Sequence, residues 1–231
     1  MLRSVVFNTL RKATSPAVRG WIKSSPLFIP VSRALFGTQV YCDSYFRDIE
    51  RLEATSVTAV ADWIVANLRP ASVIDIGCGP GHQMKALVDR GVKVFGVDIA
   101  DSALAIAKGE KGLSVQAFDL TKPGAVLPGV PYDLAVSCEV AEHLPAEHAP
   151  RFVEHCASAS SVVYLTAAEP SADGTTGLHH FNEQPHEYWI ELFAKRGYAL
   201  DAGLTSDAQA HHAGKGVISY LARPMVLRRK G

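Results

Sequence analysis

From position 72 onward, short apolar runs at 72–76, 92–97, 113–117, 132–137 and 161–166 alternate with stretches of helical period near 81–90, 101–108 and 146–158. Strands separated by helices are covered on both faces, so this alternation predicts an α/β fold, a mostly parallel sheet flanked by helices. Ahead of it, Ile49, Leu52, Val57, Val60, Ile64 and Leu68 recur near the helical period, and Asp43 or Ser44 is placed to cap a helix running to about Leu68. Behind it, Gln184 and Pro185 open a further helix that ends at Gly197, with the proline in the tolerant first turn. The stretches 198–204 and 216–223 are read as closing strands.

Composition narrows this to one core-forming domain, because 231 residues with 48% hydrophobic and 20% charged side chains bury a full core without disulfides or metals. Cys42, Cys78, Cys138 and Cys156 lack the paired short spacing of a zinc site, which favours reduced thiols and a cytoplasmic setting. No run of 18 apolar residues predicts a membrane span, and the amino terminus lacks the apolar stretch of a signal peptide. The zero net charge conceals an asymmetry: residues 1–42 carry Arg3, Arg11, Lys12, Arg19, Lys23 and Arg33 and no acid, leaving 17 basic against 23 acidic side chains beyond them. Residues 1–42 are therefore read as a basic arm or lid on a domain spanning 43–231. Leu2, Val5, Val6, Phe7 and Leu10 give the arm an apolar face suited to peripheral membrane contact, a partner surface or the cleft.

The most chemical part of the chain is V-I-D-I-G-C-G-P-G at 73–81, followed by Asp98 in V-F-G-V-D. An apolar strand ends at Asp75 and Ile76; Gly77, Gly79 and Gly81 let the backbone turn and approach a ligand. Asp98, 21 residues after Gly77, is placed to accept ribose hydroxyls. The spacing is G-x-G-x-G rather than the dinucleotide fingerprint G-x-G-x-x-G, and the acid before it opposes a pyrophosphate while suiting a cationic ligand.

These residues resemble the class I S-adenosylmethionine-dependent methyltransferases, whose first motif looks like D-x-G-C-G-x-G and whose next strand ends in an acid. Asp119 in A-F-D-L and the run D-L-A-V-S-C-E-V-A-E-H-L at 133–144 follow in the family's order, so the resemblance covers about 71–166. It implies a Rossmann-like fold with a seven-stranded, mostly parallel sheet, helices on both faces and an antiparallel closing hairpin. It also implies S-adenosyl-L-methionine as cofactor. Asp75, Gly77, Gly79, Gly81, Asp98, Ile99, Asp119, Leu120 and Cys138 would line its site, with Asp119 near the adenine.

In E-V-A-E-H-L, Glu139, Glu142 and His143 stand at three- and four-residue steps, so a helix starting here turns all three to one side. The loop S-A-D-G-T-T-G-L-H-H-F-N-E-Q-P after the fifth strand looks like a lid carrying His179, His180, Asn182 and Glu183. Glu139, Glu142, His143 and His180, the last preferred over His179, form a ligand set suited to Mg²⁺, Mn²⁺ or Zn²⁺, which would lower the pKa of an acceptor hydroxyl. The same residues also fit a metal-free reading in which His143, Glu142 and His180 supply the catalytic proton chemistry. The E-x-x-E-H pattern resembles metal-dependent small-RNA 2′-O-methyltransferases, and E-V-x-E-H is similar to that of ubiquinone-biosynthesis O-methyltransferases.

The string H-H-F-N-E-Q-P-H-E-Y-W resembles bacterial methyltransferases of the methyltransferase-23 type, including sugar O-methyltransferases of mycobacterial polymethylated mannose synthesis. The resemblance implies methyl transfer to a hydroxyl of a sugar, oligosaccharide or glycolipid, in polysaccharide biosynthesis. Quinone or natural-product O-methylation, RNA 2′-O-methylation and a non-catalytic cofactor-binding module remain as alternatives. Nucleic acid is disfavoured because the chain beyond its arm offers no basic groove.

Overall fold

Side-chain alternation along the strands decides what each face of the sheet buries. The computed structural model describes residues 43–172, 177 and 179–231, with side chains from residue 53 onward, so the basic arm, Cys42 and part of the lid loop lie outside the described residues. Helix α1 (Asp43–Asn67) leads into strand β1 (Ser72–Ile76). The alternation then continues through α2 (His82–Val88), β2 (Lys93–Asp98), α3 (Asp101–Gly109), β3 (Ser114–Ala117), β4 (Leu134–Cys138), α4 (Ala149–Ala159) and β5 (Val162–Thr166). The chain closes with α5 (His186–Ala194), β6 (Tyr198–Leu200), α6 (Ala202–Gly214) and β7 (Met225–Arg229). The seven strands order as β3-β2-β1-β4-β5-β7-β6. The first five pair in parallel, and β7 runs antiparallel to both β5 and β6.

On one face Ile74, Ile76, Ala135, Val163, Leu165 and Leu227 pack with Phe152, Trp189 and Phe193 of α4 and α5. On the other, Val73, Leu134, Val136, Tyr164 and Val226 pack with Val60, Trp63 and Ile64 of α1 and with Leu87 and Ala208. Two polar contacts tie α1 and β5 to α6: Trp63 Nε1 donates to Asp207 Oδ2 at 2.7 Å, and Tyr164 Oη meets His212 Nε2 at 2.8 Å.

The closing region departs from the sequence reading. The strand expected over 198–204 ends at Leu200, and 216–223 is no strand; the last strand lies at Met225–Arg229. Between them runs α6, which no apolar periodicity announces, because its inward stripe is Thr205, Ala208 and His212. Asp201, whose side chain accepts the Leu204 amide at 3.0 Å, is the helix-start signal that the sequence does carry. The closing strands pair antiparallel as expected, but a helix rather than a tight turn joins them. The helix expected to open at E-V-A-E-H is a single 3-10 turn at Ala141–His143, stopped before Pro145. The next helix starts at Ala149 rather than 146.

Candidate active site

The three glycines of the turn work through two different constraints. Gly77, Gly79 and Gly81 all have positive φ, at 79°, 51° and 79°. A Cβ on Gly77 would stand 2.4 Å from Val140 Cγ2, and one on Gly81 2.4 Å from Leu113 Cδ1, whereas one on Gly79 would meet nothing within 4 Å. The outer glycines thus allow close packing, and the middle one faces open space. The turn is held to β2 by the amides of Gly77 and Cys78, which donate to the Val97 carbonyl at 2.8 and 3.0 Å.

Asp98 closes the same turn: its Oδ2 accepts from the Gly79 amide and its Oδ1 from the Ala100 amide, both at 2.8 Å. Burial raises its pKa while these amides pull it down. Asp75 is only 3% exposed, its Oδ2 accepts no hydrogen bond among the described residues, and burial with the Asp98 charge pushes its pKa up to about 7. A cation placed beside it would restore the ionised form. Ile99, in contrast, is 55% exposed immediately after Asp98. Asp119 follows β3 and caps its own turn, accepting from Thr121 N and Oγ1 at 2.8 and 2.6 Å, while Leu120 is buried beside it. Cys138 ends β4, and burial followed by Asp75 and Glu139 raises its thiol well above the usual range.

Beyond β4 the backbone breaks from regular structure. Glu139 has φ 56°, a left-handed conformation unusual for a residue with a side chain, and its amide donates to the Thr166 carbonyl at 3.2 Å. This turn, rather than a helical face, brings the carboxyl of Glu139 against Glu142. Glu142 is fully buried; neither of its oxygens, nor Oε1 of Glu139, has a well-formed hydrogen bond among the described residues. Burial, and for Glu139 the neighbouring Glu142, raise both pKa values, so the pair retains a proton at neutral pH.

The lid loop docks on this turn. The amides of Phe181 and Asn182 donate to the Glu142 carbonyl at 2.8 and 3.0 Å. His143 Nδ1 lies 3.1 Å from the His179 carbonyl, and His180 Nδ1 lies 2.7 Å from Glu183 Oε1. Both contacts favour Nδ1–H tautomers and leave Nε2 as the basic nitrogen. Burial, with His180 beside it, lowers the His143 pKa to about 4, so this ring is neutral. One ligand atom from each of Glu142, His143 and His180 falls within a group spanning 4.8 Å, and Glu139 lies outside it. The aromatic residues of the loop's far end behave as core: Trp189 is fully buried against Phe152.

Sequence reasoning missed a second set of residues on the α1 side. Glu53 of α1 accepts from Tyr220 Oη at 2.8 Å and lies 3.9 Å from His82 Nδ1 at the start of α2. Asn182 Nδ2 is a buried polar atom without a hydrogen-bond partner among the described residues, and the Thr166 side chain meets Cys138 and Glu139. Glu53 sits in an ordinary amphipathic helix and Tyr220 in a segment read as strand, so neither carries a local motif.

A seven-stranded sheet with a reversed last strand, a glycine turn after β1 and an acid ending β2 defines the class I methyltransferase architecture. Residues 45–206 match the methyltransferase domain family, and the chain belongs to that family of S-adenosylmethionine-dependent enzymes. The chain is 31% identical over 139 residues to a magnesium-protoporphyrin O-methyltransferase of Synechocystis sp., covering 57% of this chain and 60% of that relative. It is also 31% identical over 113 residues to a ubiquinone biosynthesis O-methyltransferase of Nitrosomonas europaea, covering 45% of each. The match thus spans about half the length of these curated relatives. Among solved structures, that of magnesium protoporphyrin IX methyltransferase from Synechocystis with bound SAH superposes with TM-score 0.63 at 19% identity, over 87% of this chain and 99% of that one. A sugar N-methyltransferase from Streptoalloteichus sp. superposes with TM-score 0.61 at 16% identity, over 82% and 92%. Both share the fold. No helix among the described residues is long and apolar enough to cross a membrane.

Proposed function

We propose that this protein transfers the methyl group of S-adenosylmethionine to a hydroxyl of a small polyhydroxylated acceptor, a sugar or glycolipid. The observation that carries this reading is the buried Glu139–Glu142 pair, set beside two tautomer-fixed histidines at the edge of the sheet where open α/β folds bind ligands. On this reading Asp98 receives the ribose hydroxyls, Ile99 and Leu120 cover the adenine with Asp119 at its edge, and Asp75 faces the amino-acid end. Gly77, Gly79 and Gly81 bring the backbone close to the cofactor, with Cys138 below it. Buried Gln83 Nε2 and Asn182 Nδ2, without partners among the described residues, suit a ligand rich in hydroxyls. The site carries acids and histidines and no lysine or arginine among the residues assigned to it, which disfavours a polyanion such as RNA.

The donor set fits a divalent cation. Glu142, His143 and His180 converge within 4.8 Å, close to the ~3–4 Å spread of ligand atoms around one ion, and the Glu142 carboxyl is fully buried. Two nitrogens and a carboxylate suit Mn²⁺ or Zn²⁺ better than Mg²⁺. Such a cation would lower the pKa of the acceptor hydroxyl. Glu183 would orient His180, and the His179 carbonyl would orient His143. The same cation would lower the pKa of the neighbouring Glu139 as well, and in its ionised form Glu139 would take the acceptor proton.

Kinship with ubiquinone biosynthesis O-methyltransferases favours a second acceptor class, a phenolic quinone precursor. Incubation with methyl-labelled cofactor and parallel panels of saccharides and dihydroxybenzoates, read by mass spectrometry, separates the two. Label in phenols alone overturns the sugar assignment, and label in neither panel overturns the small-acceptor reading.

A further inference from the structure

We infer that Glu53, on the helix that precedes β1, receives the methionyl ammonium of S-adenosylmethionine, with Tyr220 and His82 holding its carboxylate in place. The inference rests on the cofactor reading above and deepens it. Glu53 side-chain exposure is only 17%, and its contacts join three elements: Tyr220 Oη on Oε1 at 2.8 Å, His82 Nδ1 at 3.9 Å from Oε2, and the end of β4, where its charge acts on Cys138 and Glu139. Asp75 acts on that same Cys138 and is buried with Oδ2 accepting nothing among the described residues. His82 directly follows the glycine turn, so the Glu53 carboxylate stands beside the start of α2 where that turn ends.

The surroundings show that Glu53 is deliberately held. One turn further along α1, Ser56 Oγ accepts the Ile218 amide at 3.0 Å, so a single face of α1 carries the whole strap from Val217 to Tyr220. Leu221 is buried and Arg223 pairs with Glu169 after the neighbouring strand β5, pinning the strap's other end where it enters β7. A half-buried carboxylate anchored this way points at a cation, because an exposed glutamate would gain nothing from so much fixing. The cofactor offers two positive centres, and the ammonium is the one that can donate hydrogen bonds to Glu53.

Calorimetry with S-adenosylhomocysteine, which keeps the ammonium, and with its deaminated analogue, which keeps only the carboxylate, tests the assignment on the full-length protein. Glu53→Gln is expected to weaken S-adenosylhomocysteine about tenfold and leave the deaminated analogue unchanged. Tyr220→Phe, which keeps the carboxylate but loosens it, is expected to weaken S-adenosylhomocysteine about threefold with the same selectivity, and it serves if Glu53→Gln fails to fold. Equal weakening of both ligands, or of neither, overturns the inference. If the unaltered protein binds neither ligand, the cofactor reading itself falls.

Discussion

Asp98 Oδ2 accepts the Gly79 amide at 2.8 Å, so the acid ending the second strand grips the middle of the glycine turn that ends the first. A residue expected to meet a ribose therefore also shapes the loop proposed to carry the cofactor. Removing it should cost both effects. Asp98→Ala is expected to weaken S-adenosylmethionine binding by about 2–3 kcal/mol, roughly thirtyfold or more, by calorimetry. Asp98→Asn still offers an oxygen to Gly79 and should lose less. Equal losses would mean that charge, not turn geometry, dominates.

The three glycines of the turn should separate in their effects. Gly77→Ala and Gly81→Ala each bring a Cβ within 2.4 Å of a neighbouring side chain in a positive-φ conformation, and both should lower the thermal midpoint by several degrees. Gly79→Ala meets nothing within 4 Å and should lower it least. Its expected cost, about tenfold, falls on cofactor affinity, because the new methyl projects where a ligand must approach. A Gly79→Ala protein with unchanged affinity would remove the turn from the cofactor site.

How much of this was legible beforehand follows from what each residue contacts. The five parallel strands and the glycine turn were readable because they are short-range patterns: apolar runs buried on both faces, and glycines at fixed spacing before an acid. Helix α6 was not, because Thr205, Ala208 and His212 make an inward face of two polar residues and an alanine, which tertiary partners such as Tyr164 make burial-worthy. The acids and histidines of the site were legible by type, but their arrangement was not. The expected helical face at Glu139 gives way to a left-handed residue, and the lid amides, rather than periodicity, fix Glu142. Glu53 is a tertiary finding altogether, since its meaning comes from Tyr220, 167 positions later.

His212 makes stability fall in mild acid. Its ring is fully buried against Tyr164, and burial with His211 beside it lowers its pKa from the ordinary 6.5 to about 4. Since the unfolded chain binds the proton more tightly, stability from the neutral ring is complete above about pH 6.5 and is lost as pH falls toward 4. The full loss is of the order of 3 kcal/mol by the size of the shift. In urea titrations between pH 7 and 4.5, His212→Gln is expected to be less stable at neutral pH but to show a flatter acid slope. A parallel slope would assign the loss elsewhere, to His143 first.

Glu139 and Glu142 make the metal reading separable from a histidine-base reading. Two adjacent buried carboxyls that hold a proton at neutral pH are costly unless a cation stabilises the charged form, and only Glu142 joins His143 and His180 in the converging group. Glu142→Gln, His143→Ala and His180→Ala should therefore lose bound Mn²⁺ or Zn²⁺ by elemental analysis, while Glu139→Gln retains it and loses turnover. Glu183→Gln frees the His180 ring and should weaken metal binding ten- to a hundredfold without abolishing it. Chelation should abolish methyl transfer, with restoration by added metal and S-adenosylmethionine affinity unchanged throughout. Full turnover by protein shown to be metal-free would leave His143, neutral down to about pH 4, as the base. His143→Ala would then be the most damaging change, and Glu142→Gln, which keeps the main-chain carbonyl that receives the loop amides, would change turnover little.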